Sequence, residues 1–430
     1  MYQFIRSDDF VVISPDGRFD GTEGAFESLY YVEGRKILPL SSLYEQFYTP
    51  NLLARSLEGE QFEIPKVQLT NLKPAPTVSI TNPSSGSKLN NNQVTVSIRA
   101  VDQGGGVDEI RLYHNGKLVS TTQRGFKSAG QTKDFTISLV SGANRFKATA
   151  FNDQRTESLP DEITVYYEGA KATADLFLMV VGINQYRNPA YSLNYALTDA
   201  SAFKNTIESG ASTIFSNIST TYIKDADATK SNILNALNGI KSKAGPEDMF
   251  VFYYAGHGVM NAGDMGYNKD FYLVPTDVTK LYGADDMLAQ KAISSKEMTD
   301  LSQGIAAQKQ LFVLDACQSG GAIQQIASRG AAEEKAIAQL ARSTGTYWLT
   351  ASGSEQFATE FQQLGHGVFT YAILEGLKGN ADGGDRKITA KELGAFIEDK
   401  VPELTEQYKG QAQFPRSYGF GQDFPLVIVK

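Results

Sequence analysis

Residues 310–321 read Gln310-Leu311-Phe312-Val313-Leu314-Asp315-Ala316-Cys317-Gln318-Ser319-Gly320-Gly321. A short apolar run bounded by turn-forming residues is the pattern of a buried strand. This one would carry a thiol to its carboxyl end, and Cys317 is the single cysteine of the 430 residues. Sixty residues earlier, Met249-Phe250-Val251-Phe252-Tyr253-Tyr254 runs into Ala255-Gly256-His257-Gly258. A thiol and an imidazole at two strand tips are the minimal parts of a cysteine nucleophile and its base. Either residue alone reads as well as a packing residue. Together, each in a glycine-rich turn, they point to chemistry. The small neighbours let a substrate backbone approach and leave amide N–H groups for a developing oxyanion.

Outward from these two strands, residues 174–430 alternate apolar strands with amphipathic helices. Strands are expected at 176–183, 219–224, 249–254, 310–314 and 346–351. Helices are expected at 197–209, 226–242, 295–305, 366–378 and 389–400. Near-continuous apolar strands joined by helices imply an α/β fold, a mostly parallel sheet with helices on both faces. Ligands bind such sheets beyond the carboxyl ends of the strands. His257 and Cys317 become neighbours there if their strands are adjacent.

Residues 73–170 have another texture. Lys73-Pro74-Ala75-Pro76 is a stiff linker. Six or seven short alternating runs follow, and Asn115-Gly116 is a two-residue hairpin turn. The expected fold is an antiparallel, immunoglobulin-like β-sandwich. His114, just before that turn, reads as a surface residue. Residues 1–72 form a small segment with a strand at 10–13, a turn at 14–17 and a helical, aromatic stretch at 40–48, and would pack on another domain.

Apolar content of 41% and charged content of 20% are ordinary for a globular chain. A net charge of −8 gives no general attraction to nucleic acid or to anionic membrane. One cysteine excludes an internal disulfide framework and suits a reducing compartment. Three histidines and one cysteine cannot build a thiolate-rich zinc site, and no metal or other cofactor is implied. No run reaches the roughly 18–20 apolar residues that span a bilayer, and the first residues lack a signal-peptide pattern. The expected place is the cytoplasm, unless the chain is a fragment whose leader was removed.

A family resemblance rests on motifs in order: Val181-Gly182-Ile183-Asn184-Gln185-Tyr186, Leu193-Asn194-Tyr195-Ala196-Leu197-Thr198-Asp199-Ala200, Tyr254-Ala255-Gly256-His257-Gly258, Asp315-Ala316-Cys317-Gln318-Ser319-Gly320, Thr350-Ala351-Ser352 and Gly367-Val368-Phe369-Thr370-Tyr371. Residues 174–430 resemble the caspase-like cysteine peptidases, in the branch of metacaspases, paracaspases and bacterial caspase homologues. The resemblance implies Cys317 as nucleophile, His257 as base and acid, and an oxyanion hole from the N–H groups of Gly258 and Cys317. Animal caspases carry glutamine where this chain has Asp315, and cut after aspartate. In the resembling branch, the counterparts of Asp315 and Asp199 line the primary specificity pocket. Two carboxylates there favour arginine or lysine at the cleaved position. Asp199 also reads as a helix N-terminal charge and Asp315 as a strand-end hydrogen-bonding residue. Ala255 stands where metacaspases often have a serine.

Residues 321–345 match the place where relatives are cut between subunits, which makes Arg329, Lys335 and Arg342 candidate autocleavage sites. The same stretch has strong helix propensity over 331–342. Residues 381–389 fail the spacing of a calcium loop and read as a turn before a helix capped by Thr389 with Glu392. Calcium activation, known in some metacaspases, stays open. His366 reads as structural. Residues 10–57 resemble, more loosely, the segment after WD-repeat propellers in bacterial proteins that end in a caspase-like domain, which implies a sensor or regulatory partner. The expected function is a regulated, self-processing cysteine endopeptidase of bacterial stress, cell death or defence. The alternatives are a catalytically silent caspase-like scaffold and a separase- or gingipain-like peptidase.

Overall fold

Period-two alternation builds the first of two compact units, residues 1–170; the second is residues 171–430. The computed structural model describes residues 2–6, 9–33, 36–62, 64–122, 132–170, 173–261, 263, 270–317, 323–351, 360–361, 365–410 and 412–429.

In the first unit, Thr77–Asn82, Gln93–Val101 and Thr132–Ser138 form a three-stranded sheet with Gln93–Val101 central. Glu109–His114, Lys117–Thr121, Gly142–Phe151, Asp161–Tyr167 and the short Lys88–Leu89 form the opposing five-stranded sheet. All pairs are antiparallel except Lys88–Leu89 with Asp161–Tyr167. Alternate residues such as Val96, Ile98, Leu112, Phe146 and Val165 point inward and form one core. Asn115 (φ 51°) and Gly116 (φ 92°) turn the expected hairpin, both in the left-handed region that a two-residue turn of this kind needs.

His114 corrects one expectation. It is buried, because it continues the inward-facing series Ile110, Leu112. Its Nε2 lies 2.8 Å from Asn144 Oδ1, and its ring stacks on Phe146 at 4.6 Å. Residues 1–72 contribute an antiparallel sheet of Tyr2–Arg6, Asp9–Ile13 and Phe19–Gly21. An aromatic cluster of Phe19, Phe26, Tyr44 and Tyr48 packs beside it. Glu45 from this segment pairs with Arg111 at 2.9 Å and Arg155 at 2.7 Å, which ties it to the sandwich.

In the second unit the main sheet has strands β1 Leu176–Gly182, β2 Ile218–Lys224, β3 Met249–Met260, β4 Lys309–Cys317, β5 Tyr347–Thr350 and β6 Arg416–Gly419. Their order is β2-β1-β3-β4-β5-β6. All neighbours are parallel except β5 and β6. Both faces are apolar, as parallel sheets require. On one face Leu178, Val180, Val251, Tyr253, Leu311 and Val313 meet helices α1 Ala196–Ala211, α5 Val368–Glu375 and α6 Ala390–Lys409. On the other, Met179, Phe250, Phe252, Phe312 and Trp348 meet α2 Lys230–Lys241, α3 Ser295–Gly304 and α4 Ile323–Thr344. Phe312 stacks on Trp348 at 4.2 Å. Each large side chain so buried contributes about 1.5–3 kcal/mol. Thr389 and Glu392 close the expected capping box at α6, and a second box joins Ser294 and Glu297 at α3. Among the described residues, no helix is long and apolar enough to cross a membrane.

Candidate active site

Strands β3 and β4 are adjacent, and their register places His257 directly opposite Cys317. Adjacent strands lie about 4.7–4.9 Å apart. The backbone of Cys317 is described and its side chain is not; Gln318, Ser319, Gly320 and Gly321 lie outside the described residues.

His257 is buried and held from several directions. Its ring Nε2 lies 2.8 Å from the carbonyl oxygen of Tyr191. A carbonyl only accepts, so Nε2 carries the proton, and in the neutral ring Nδ1 is the nitrogen with a lone pair. The His257 backbone N–H donates to the Tyr186 hydroxyl at 2.9 Å, and the Tyr186 ring lies 4.9 Å from the imidazole. The Tyr254 hydroxyl meets the His257 carbonyl at 3.1 Å and the Val274 carbonyl at 2.7 Å. Burial pushes the Tyr254 phenol well up, which keeps it a neutral donor. Beyond Tyr254, the end of β3 turns to pair antiparallel with Phe271–Val274, so His257 is gripped on both sides. The loop that brings in Tyr186 and Tyr191 is itself fixed, because Asp225 Oδ1 accepts the N–H groups of Asn184 and Gln185 at 2.9 and 3.0 Å.

The glycines beside His257 have a packing reason. A Cβ on Gly256 would lie 2.8 Å from the hydroxyls of Tyr186 and Tyr254. One on Gly258 would lie 2.8 Å from the Phe271 ring.

The two acidic residues come together at the same end of the sheet. Asp199 lies in the first turn of α1, where a negative charge is favoured. Oδ1 lies 2.6 Å from His366 Nδ1, and Oδ2 accepts the Gly367 N–H at 3.0 Å. Asp315 Oδ2 accepts the Thr370 hydroxyl at 2.6 Å. Gly367 stands between them: a Cβ there would lie 3.1 Å from Asp199 Oδ2 and 3.5 Å from Asp315 Oδ2. Both carboxylates also border the N-terminus of α5, where negative charge is favoured. Both are buried, at 3% and 8% exposure, while the His366 side chain is 21% exposed. Buried carboxylates held in fixed orientations can pair with a cationic side chain.

Sequence reasoning missed His366, Thr370, Tyr186 and Tyr191 as parts of this site. Tyr186, Thr370 and Gly367 fall inside the quoted motifs, which was the available signal. His366, read as structural, contacts Asp199 directly.

Arg329, Lys335 and Arg342 all fall within α4, a helix longer than the expected 331–342. Its Ile337, Leu340 and Ala341 are buried in the core beside the sheet. A peptidase binds its substrate extended, so cutting there requires this helix to open. Asp382 Oδ1 accepts the N–H groups of Gly384, Asp385 and Arg386, which makes residues 382–386 the expected turn.

Comparison with known proteins bears on both units. The family model for the Caspase domain matches residues 176–419, and that for the bacterial Ig domain matches residues 76–148. A protein named as a probable protease from a Desulfuromonadales bacterium is 26% identical over 249 residues, which are 52% of this chain and 29% of that relative's length. Among solved structures, protein GSU0716 from Geobacter sulfurreducens is 15% identical with a TM-score of 0.41, covering 60% of this chain and all of that one. The fibronectin(III)-like modules of Clostridium thermocellum CbhA are 19% identical with a TM-score of 0.19, covering 22% of this chain and all of that one. Through residues 176–419, the chain belongs to the Caspase domain family of peptidases.

Proposed function

We propose that the protein is a cysteine endopeptidase that cleaves after arginine or lysine. The observation that carries this reading is the buried pair Asp199 and Asp315, beside a strand register that sets His257 opposite Cys317. In the proposed reaction, His257 Nδ1 takes the Cys317 proton and the thiolate attacks the scissile carbonyl. The N–H groups of Gly258 and Cys317 stabilise the oxyanion. Collapse expels the amine, which takes the proton back from Nδ1 and leaves a thioester on Cys317. Water, deprotonated by the same nitrogen, releases the acid. The Tyr191 carbonyl keeps the imidazole in the useful tautomer throughout.

The test is a panel of fluorogenic peptides bearing Arg, Lys or Asp at the cleaved position. Turnover of the Arg and Lys peptides, absent in Cys317→Ala, is expected. Cleavage after Asp alone would overturn the pocket assignment, and unchanged activity in Cys317→Ala would overturn the mechanism.

A further inference from the structure

Tyr253, Thr370 and Asp315 form one buried line of hydrogen bonds. Thr370 Oγ1 lies 2.6 Å from Asp315 Oδ2 and 2.6 Å from the Tyr253 hydroxyl oxygen. Tyr253 and Thr370 are fully buried. A hydroxyl has one proton to give, and an ionised carboxylate only accepts. The Thr370 proton therefore goes to Asp315, and Tyr253 donates to Thr370. The direction of the chain is fixed from phenol to carboxylate. Burial holds the Tyr253 phenol far above its ordinary pKa, and the charges of Asp315 and Asp199 push it the same way, so it stays a donor. Nothing in the sequence motifs assigns these two hydroxyls a task, and in the mechanism above neither touches a reacting atom.

We propose that Thr370, backed by Tyr253, is a positioning residue for substrate specificity: it fixes Asp315 in the rotamer that lets the carboxylate receive the cation of the substrate side chain. The inference rests on the basic-residue pocket proposed above. A buried carboxylate held by a short bond from an already polarised hydroxyl loses little freedom when a guanidinium binds. A carboxylate offers about four acceptor positions, and this bond takes one of them. Asp199 receives parallel treatment from His366 and Gly367, so residues 366–370 orient both carboxylates.

The probe is benzamidine, an amidinium that binds without turnover, titrated calorimetrically into the full chain and its variants. Wild type binds, and Asp315→Asn loses binding. Thr370→Val, which keeps the shape and removes the donor, binds at least about tenfold more weakly, the scale expected for a lost hydrogen bond to a charge. Thr370→Ser restores binding, and in turnover the Thr370→Val loss falls on KM rather than on kcat. If Thr370→Val binds like wild type while Asp315→Asn does not, the role of Thr370 is overturned and the basic pocket stands. If wild type does not bind, or Asp315→Asn binds equally, the pocket itself is overturned, and this inference with it. Melting curves report whether Thr370→Val folds. Should it not, Tyr253→Phe decides, since binding equal to wild type contradicts the hydroxyl chain.

Discussion

At His257 the imidazole Nε2 rests on the Tyr191 carbonyl and the backbone N–H on the Tyr186 hydroxyl. Tyr186→Phe leaves that buried N–H without its acceptor, at a cost of about 1–3 kcal/mol. Steady-state kinetics of this variant are expected to show kcat reduced by tenfold or more, with selectivity for the cleaved residue kept. Asp199→Asn and Asp315→Asn should do the opposite, raising KM for arginine peptides about tenfold to a hundredfold while the thiol still reacts with iodoacetamide. Much of this site was legible in the sequence. Cys317 is the single thiol, and the apolar run at 249–254 leads directly into His257, although the strand does not stop there as expected but continues to Met260. Tyr191 was not legible, because its contribution is a backbone carbonyl and no residue type encodes that. His366 was not legible either, since its partner Asp199 lies 167 positions away.

Among elements, β1 to β5 were found by their runs, while the short buried strand Phe271–Val274 and the edge strand β6 were missed. Its Arg416-Ser417-Tyr418-Gly419 has no apolar period, because it sits at the sheet edge and is only half-buried. The hairpin of residues 109–121 was found through Asn115-Gly116, yet its burial was not foreseen. Lys117, just past the turn, is almost fully buried, and desolvation lowers its pKa to about 7. His114 is lowered to about 4, by burial first and with Lys117 adding to it. Both groups bind more protons when unfolded. Lys117 therefore destabilises the fold below pH about 10, with its full cost present below pH about 7. His114 adds a further loss as pH falls from about 6.5 toward about 4. Lys117→Met is expected to raise the melting temperature of the sandwich at pH 7. Thermal unfolding of the full chain should show that gain shrinking as the pH approaches 10.

The molecule as a whole divides into residues 1–170 and 171–430. The family match lies in the second unit and the Ig match in the first. Helix α4 runs from Ile323 to Thr344 and carries Lys335 and Arg342. Trypsin cuts after the same residue types, so it reports whether the bonds after Lys335 and Arg342 are reachable. In the native chain both are expected to resist brief digestion, because they lie in a helix packed against the core. The most direct measurement of the central claim is mass spectrometry of the full chain after exposure to an arginyl chloromethylketone. The expected product is one adduct, a thioether formed at Cys317 with loss of chloride. It should vanish in His257→Ala and slow in the presence of benzamidine. Modification at another residue, or labelling of Cys317 indifferent to both His257 and benzamidine, would contradict a basic-residue peptidase built on this dyad.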